Sequence, residues 1–119
     1  MSWATAGADE RVELVAEFTA VAGREEEVEG LLLALTAEVR REPGCLDFTP
    51  HRVAAPPSGS AVTAGPAPVG TRFVVTEAYR DASAFAEHLA APYGADFNAA
   101  LGSLIAEDGS VLTFLRPLA

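Results

Sequence analysis

From Val12 onward apolar residues fall on every second position, as Val12, Leu14, Ala16, Phe18 and Ala20, with Arg11, Glu13, Glu17 and Thr19 between them. That period-two alternation predicts a strand with one apolar face. After Ala22-Gly23 the period changes: Val28, Leu31, Leu32, Leu35 and Val39 follow the ~3.6-residue stripe of a helix running from about Arg24 to Arg41. Glu25, Glu26 and Glu27 fall in its first turn and Arg40 and Arg41 in its last, each complementing the helix dipole. Consecutive glutamates point in different directions around a helix, so the triplet reads as a solvated cap rather than a metal site. Pro43-Gly44 stops the helix.

A second strand is expected over Cys45 to Val53, with Leu46 and Phe48 on one face and Asp47, Thr49 and His51 on the other. Pro50 has no N–H to donate, which places this strand at a sheet edge or breaks it there. His51 reads as a solvated histidine beside Arg52, and Cys45, with no CxxC partner or nearby base, as a small buried hydrophobe. The stretch from Ala54 to Gly70 is mostly Ala, Pro, Gly and Ser with no charged residue; it permits a mobile lid over a cleft or a flexible linker, and the linker fits better because only Val62 and Val69 could cover an apolar ligand. A third strand follows, in which Phe73, Val75, Glu77 and Tyr79 share one face. Asp81 or Ser83 then caps a helix whose Phe85, His88 and Leu89 form an i, i+3, i+4 stripe. Pro92 interrupts the chain before a further helical stretch carrying Tyr93, Phe97, Leu101, Leu104 and Ile105. Val111 to Leu115 is the last strand.

This is the order βαββαβ. It predicts an α+β fold of the ferredoxin-like kind, an antiparallel four-stranded sheet with its helices on one face. On two strands both faces look apolar: Phe73 and Val75 against Val74 and Ala78, and Leu112 and Phe114 against Val111 and Leu115. A sheet apolar on both sides is covered twice, and a second copy of the chain is the economical cover, so a homodimer is expected.

Composition narrows the partners. With 119 residues, half of them hydrophobic, the chain fits one domain over 11–119 behind a disordered tail of residues 1–10 that holds the lone Trp3. A net charge of −9 and the absence of any basic patch larger than Arg40-Arg41 argue against nucleic acid. No apolar run approaches the roughly 20 residues that span a bilayer, so no membrane partner is expected. The first residues lack a signal-peptide pattern, and one cysteine permits no internal disulfide. Both point to the cytoplasm.

Glu77 is a carboxylate on an otherwise apolar strand face, and His88 an imidazole on an otherwise apolar helix stripe. A helix that directly follows a strand tends to pack back on the sheet, where the two groups can line one cavity. Read blandly, they form a hydrogen-bonded tie between layers.

Glu42-Pro43-Gly44-Cys45, then Thr76-Glu77-Ala78-Tyr79, then Ala84-Phe85-Ala86-Glu87-His88-Leu89 with Pro92 after it, resemble the antibiotic biosynthesis monooxygenase domain family, a branch of the dimeric α+β barrels. The resemblance runs from about Val12 to Leu115. The chain has Tyr79 where members often carry Trp, and Gly94 where a second His is common. The resemblance implies a face-to-face dimer and oxygenation of a polycyclic phenol or polyketide-like molecule by dioxygen, with no metal and no flavin or other cofactor. In that chemistry an electron-rich anion reacts with dioxygen, so the site needs a base, a hydrogen-bond donor and an aromatic wall. His88 suits the base, Glu77 its orienting partner or proton acceptor, and Tyr79 the donor to a phenolate; Phe73, Phe85, Tyr93 and Phe97 suit the wall. Two other readings use the same residues: a non-redox cyclase or isomerase, and a non-catalytic dimeric module that binds small molecules.

Overall fold

The opening alternation becomes strand β1 (Val12–Thr19) and the first helical stripe becomes α1 (Glu25–Val39). The chain continues through β2 (Cys45–Arg52), β3 (Arg72–Tyr79), α2 (Ala82–Ala90), α3 (Pro92–Leu101) and β4 (Val111–Leu115). This computed structural model describes residues 7, 9–65 and 68–119, so Trp3 and most of the expected tail lie outside the described residues. The strands form one antiparallel sheet in the order β2-β3-β1-β4, the ferredoxin-like arrangement. Pro50 accordingly sits on an edge strand, opposite Val75. No helix among the described residues is long and apolar enough to cross a membrane.

Register decides which residues meet. Paired residues of antiparallel strands share a face, so Phe114, Leu14, Glu77 and Phe48 form one row across the helix-covered side. The next row holds Leu112, Ala16, Val75 and Pro50, and beyond it come Phe18, Phe73 and Arg52. Glu77 is the one carboxylate in these rows. The main core lies between this face and helices α1 and α3. Phe18 stacks on Phe73 with ring centres 5.8 Å apart and meets Phe97 at 6.2 Å, while Val28, Leu32 and Val39 of α1 and Leu101 of α3 close over them. A smaller cluster of Val12, Leu14, Tyr79 and Ala84 lies under α2.

The opposite face is mixed rather than apolar. Its rows interleave Val15, Val74, Val111 and Leu115 with Glu13, Glu17, Asp47 and four threonines, and Glu17 pairs with Arg72 at 3.2 Å. The alternation Phe73/Val74/Val75 hid this, because each valine on that face has a charged or polar neighbour in its row. Two further expectations are corrected. Helix α1 ends at Val39, leaving Arg40 and Arg41 beyond its last turn; Arg40 donates to the Phe48 carbonyl at 3.0 Å instead. Leu89 is 63% exposed. Its helix is only nine residues long and turns Ala84, its single buried residue, to the sheet.

Asp81 is the cap of α2, accepting a hydrogen bond from the Ala84 amide at 2.9 Å. Ala84 also explains Gly44. A methyl group on Gly44 would run into Ala84 Cβ, so the turn before β2 and the first turn of α2 are in backbone-level contact, with the Arg80 amide donating to the Gly44 carbonyl at 2.8 Å. Overpacking such a contact costs about 1–3 kcal/mol. Gly44→Ala should therefore lose about that much stability in urea unfolding. An unchanged midpoint would show that the turn and the helix separate freely.

Candidate active site

The strand and helix that follow one another, β3 and α2, bring Glu77 and His88 to one place. Their closest approach is 3.9 Å, from His88 Nε2 to Glu77 Oε1, which is longer than a hydrogen bond. The nearer partner of His88 is Glu42, whose two carboxylate oxygens lie 3.1 and 3.2 Å from Nδ1. Glu42 also accepts a hydrogen bond from the Tyr93 hydroxyl, and Glu77 accepts one from the Tyr79 hydroxyl at 2.6 Å. The result is a chain of side chains, Tyr93–Glu42–His88 and then Glu77–Tyr79, with the imidazole between two carboxylates. Every buried side-chain polar atom among the described residues has a partner.

A cavity of about 500 Å³ opens between the sheet and the helices. His88 and Glu77 line it, as do the rings of Phe18, Phe48, Phe85 and Phe97. Asn98, Asp108 and Ser110 also border it, as does Leu112 of the edge strand. Glu42 is absent from the lining while Glu77 is part of it, so the Nε2 edge of His88 is the one turned toward the cavity. Phe85 stacks near-parallel to the His88 ring with centres 6.1 Å apart, and Tyr79 packs against the same ring at 4.8 Å.

The sequence-based candidates thus separate into two groups. His88, Glu77, Phe85 and Phe97 face the cavity. Tyr79 is fully buried behind Glu77 and spends its proton on that carboxylate rather than on the cavity. Phe73 is core, stacked on Phe18 and capped by the Arg52 guanidinium at 5.2 Å. Tyr93 binds Glu42 rather than lining the wall. Cys45 packs beside both core clusters, and burial together with the nearby Glu42 raises its pKa, which disfavours a thiolate. His51 is exposed, its Nδ1 3.2 Å from the Val74 carbonyl.

Glu42 was not legible as a site residue. It directly precedes a helix-stopping Pro-Gly and reads as part of a turn; it reaches His88, 46 positions away, only because Gly44 presses that turn against α2. The available signal was the Glu42-Pro43-Gly44-Cys45 run itself, which carries the resemblance without showing what Glu42 would touch.

Burial raises the pKa of Glu77, and the Tyr79 hydrogen bond and the adjacent His88 offset this only in part; Glu42 and Asp47 add to the rise. Burial, and then the Glu77 carboxylate, likewise hold the Tyr79 phenol above its ordinary range. A carboxyl that binds its proton more tightly in the folded chain favours folding below its unfolded pKa, and that advantage is lost as pH rises from about 4.5 through the folded value. Glu77→Gln removes the titration and keeps an acceptor for Tyr79. The melting temperature of the natural protein should therefore fall relative to the Gln variant as pH is raised from about 4 to about 8. Parallel profiles over that range would mean that Glu77 titrates as it does in the unfolded chain.

Residues 11–100 match the family model described as antibiotic biosynthesis monooxygenase. None of the curated proteins matches the chain. Among solved structures, Rv0793 from Mycobacterium tuberculosis aligns with a TM-score of 0.73 at 25% identity, over 92% of this chain and 97% of that one. PA3566 from Pseudomonas aeruginosa aligns at 0.73 and 24% identity, over 96% of this chain and 100% of that one. SnoaB, a cofactor-independent oxygenase from Streptomyces nogalater, aligns at 0.70 and 23% identity, over 94% and 96%; at such identities the last two show a likeness of fold. The family match takes in most of the chain, and with the fold and the cavity in agreement the protein belongs to the antibiotic biosynthesis monooxygenase family.

Proposed function

We propose that the protein is a cofactor-independent monooxygenase acting on an electron-rich phenolic or polyketide-like molecule. The observation that carries this reading is the placement of His88 and Glu77 side by side in the wall of a cavity of about 500 Å³ whose lining is mostly aromatic and aliphatic. That volume lies within the roughly 300–1,000 Å³ of small-molecule sites. His88 takes a proton from the phenol or the acidic C–H, and the low-polarity walls hold the electron-rich anion beside dioxygen. The reacting CH₂ carbon loses two hydrogens, one oxygen atom of O₂ becomes its carbonyl oxygen, and the other leaves as water. SnoaB, a solved relative in fold, is a cofactor-independent oxygenase, which agrees with this chemistry.

A second reading is favoured by one particular feature. Glu77, whose pKa burial raises, lies 3.9 Å from His88 Nε2, so an acid and a base face the same corner. Such a pair moves a proton from one atom of a substrate to another without oxygen, as a cyclase or isomerase does. A pure binding module is the remaining alternative and predicts no turnover at all.

The assembly belongs to the proposal. All five residues of β4 are exposed, among them Val111, Leu112, Phe114 and Leu115, on an open sheet edge. Exposed apolar edges invite pairing, and a second copy of the chain is the proposed cover.

Three measurements test this. Metal-free protein given a panel of phenols and anthrones should consume oxygen and form product in air and stall without it. Equal turnover under anaerobic conditions would replace the oxygenase with the isomerase, and no turnover in either would leave the binding module. His88→Ala should lower kcat by about 10²–10⁴-fold with the fold intact. In light scattering the protein should run as a dimer at micromolar concentration, burying on the order of 1,600 Å² or more in total; a particle of the 12.4 kDa chain mass would reject the dimer.

A further inference from the structure

We propose that Glu42 is the positioning residue of the site: its carboxylate holds the Nδ1–H tautomer of His88 and so leaves Nε2 unprotonated toward the cavity. The inference rests on the reading of His88 as the base. It begins from the geometry of the turn, which the family match alone does not supply.

An ionised carboxylate only accepts hydrogen bonds, so a ring nitrogen about 3.1 Å from Glu42 must carry the proton to make one. The opposite tautomer would set a lone pair of Nδ1 against the lone pairs of both Glu42 oxygens. Its Nε2–H would then point toward Glu77 across 3.9 Å, too far for a hydrogen bond, so that tautomer gains nothing on one side and is repelled on the other. Glu77 is no rival for the orienting role, because its nearest oxygen lies 3.9 Å from the ring, beyond hydrogen-bond reach.

Glu42 is itself held. Tyr93 donates to its Oε2, and the backbone that carries it is locked to α2 by the contact between Gly44 and Ala84, one helical turn before His88. The carboxylate does not line the cavity, so it acts on a ligand only through the imidazole. When His88 Nε2 takes the substrate proton, Nδ1 keeps its own, and the imidazolium lies between Glu42 and Glu77. This is the general arrangement in which a buried carboxylate fixes the tautomer and orientation of a histidine base.

The test needs no substrate. The chain has two histidines, so a long-range ¹H–¹⁵N correlation spectrum shows two rings, and His51→Gln assigns them. On the high-pH plateau of its titration, His88 should show a protonated Nδ1 and a free Nε2, the reverse of the tautomer that free histidine prefers. Glu42→Ala should shift the ring toward Nε2–H. A protonated Nε2 in the natural protein, or a tautomer unmoved by Glu42→Ala, overturns the proposal; the first result stands even if the variant fails to fold. With a turned-over substrate, Glu42→Ala should reduce kcat by roughly 10- to 100-fold and leave KM nearly unchanged, since Glu42 is outside the cavity. The Nδ1–H tautomer together with no turnover of any panel compound would remove the oxygenase reading and leave the positioning role of Glu42 standing.

Discussion

The approach of a turn to a helix, backbone against backbone at Gly44 and Ala84, is the contact on which the site depends. Helix α2 is short, with Ala84 its single buried residue and half-buried Phe85 packed on Tyr79 and Phe114, so it has little apolar area to fix its position. The absence of a side chain at Gly44 lets the helix sit against the turn, and the Asp81 cap closes its first turn at the same point. Glu42 and His88 then meet although 46 positions separate them in the chain. Without this contact the imidazole would have only the distant Glu77 for a partner.

A second consequence concerns charge in an apolar layer. Glu77 occupies a row of Phe114, Leu14 and Phe48, where an ionised carboxylate is poorly solvated. The protein answers with the Tyr79 hydroxyl, which satisfies one oxygen without neutralising the charge. Burial outweighs that hydrogen bond and leaves the carboxyl readier to hold a proton than an exposed glutamate would be. The imidazole next to it is placed to offset that charge. His88 and Glu77 are thus neighbours in the cavity wall, Asn98, Asp108 and Ser110 add further polar groups, and the rest of the lining is mostly rings and aliphatic side chains.

Most of the architecture was legible in the sequence, since period two and period 3.6 each report which residues share a face. The strands, the long helix, the edge position of Pro50 and the cap at Asp81 all follow from local chemistry. What was not legible depends on the third dimension. Alternation along β3 shows that Val74 and Val75 point opposite ways, but not that the neighbours of Val74 across the sheet are Glu17 and His51. Likewise, the stripe of Phe85, His88 and Leu89 predicts a common inward face. The helix is only nine residues long: Ala84, Phe85 and His88 find partners, while Leu89 is exposed and reaches the rim. At the site, Glu77 and His88 could be found because each breaks an apolar pattern. Glu42 breaks none, and Tyr79 and Phe73 look like wall residues until the register puts them behind it.

The hairpin between β2 and β3 is closed before its long loop begins. The Val53 amide donates to the Arg72 carbonyl and the Gly70 amide to the Val53 carbonyl, both at 2.8 Å, and Arg52 reaches the Gly70 carbonyl at 3.3 Å. Gly70 takes a φ of +81°, which a residue with a side chain rarely adopts. Beyond that clasp the number of residues enters the free energy only as a logarithm: doubling it costs about 0.6 kcal/mol. The edge of the sheet next to β2 is thus a port at which this scaffold can accept added sequence, a binding peptide or a whole inserted module, while the registers that hold Glu77 in its row stay as they are.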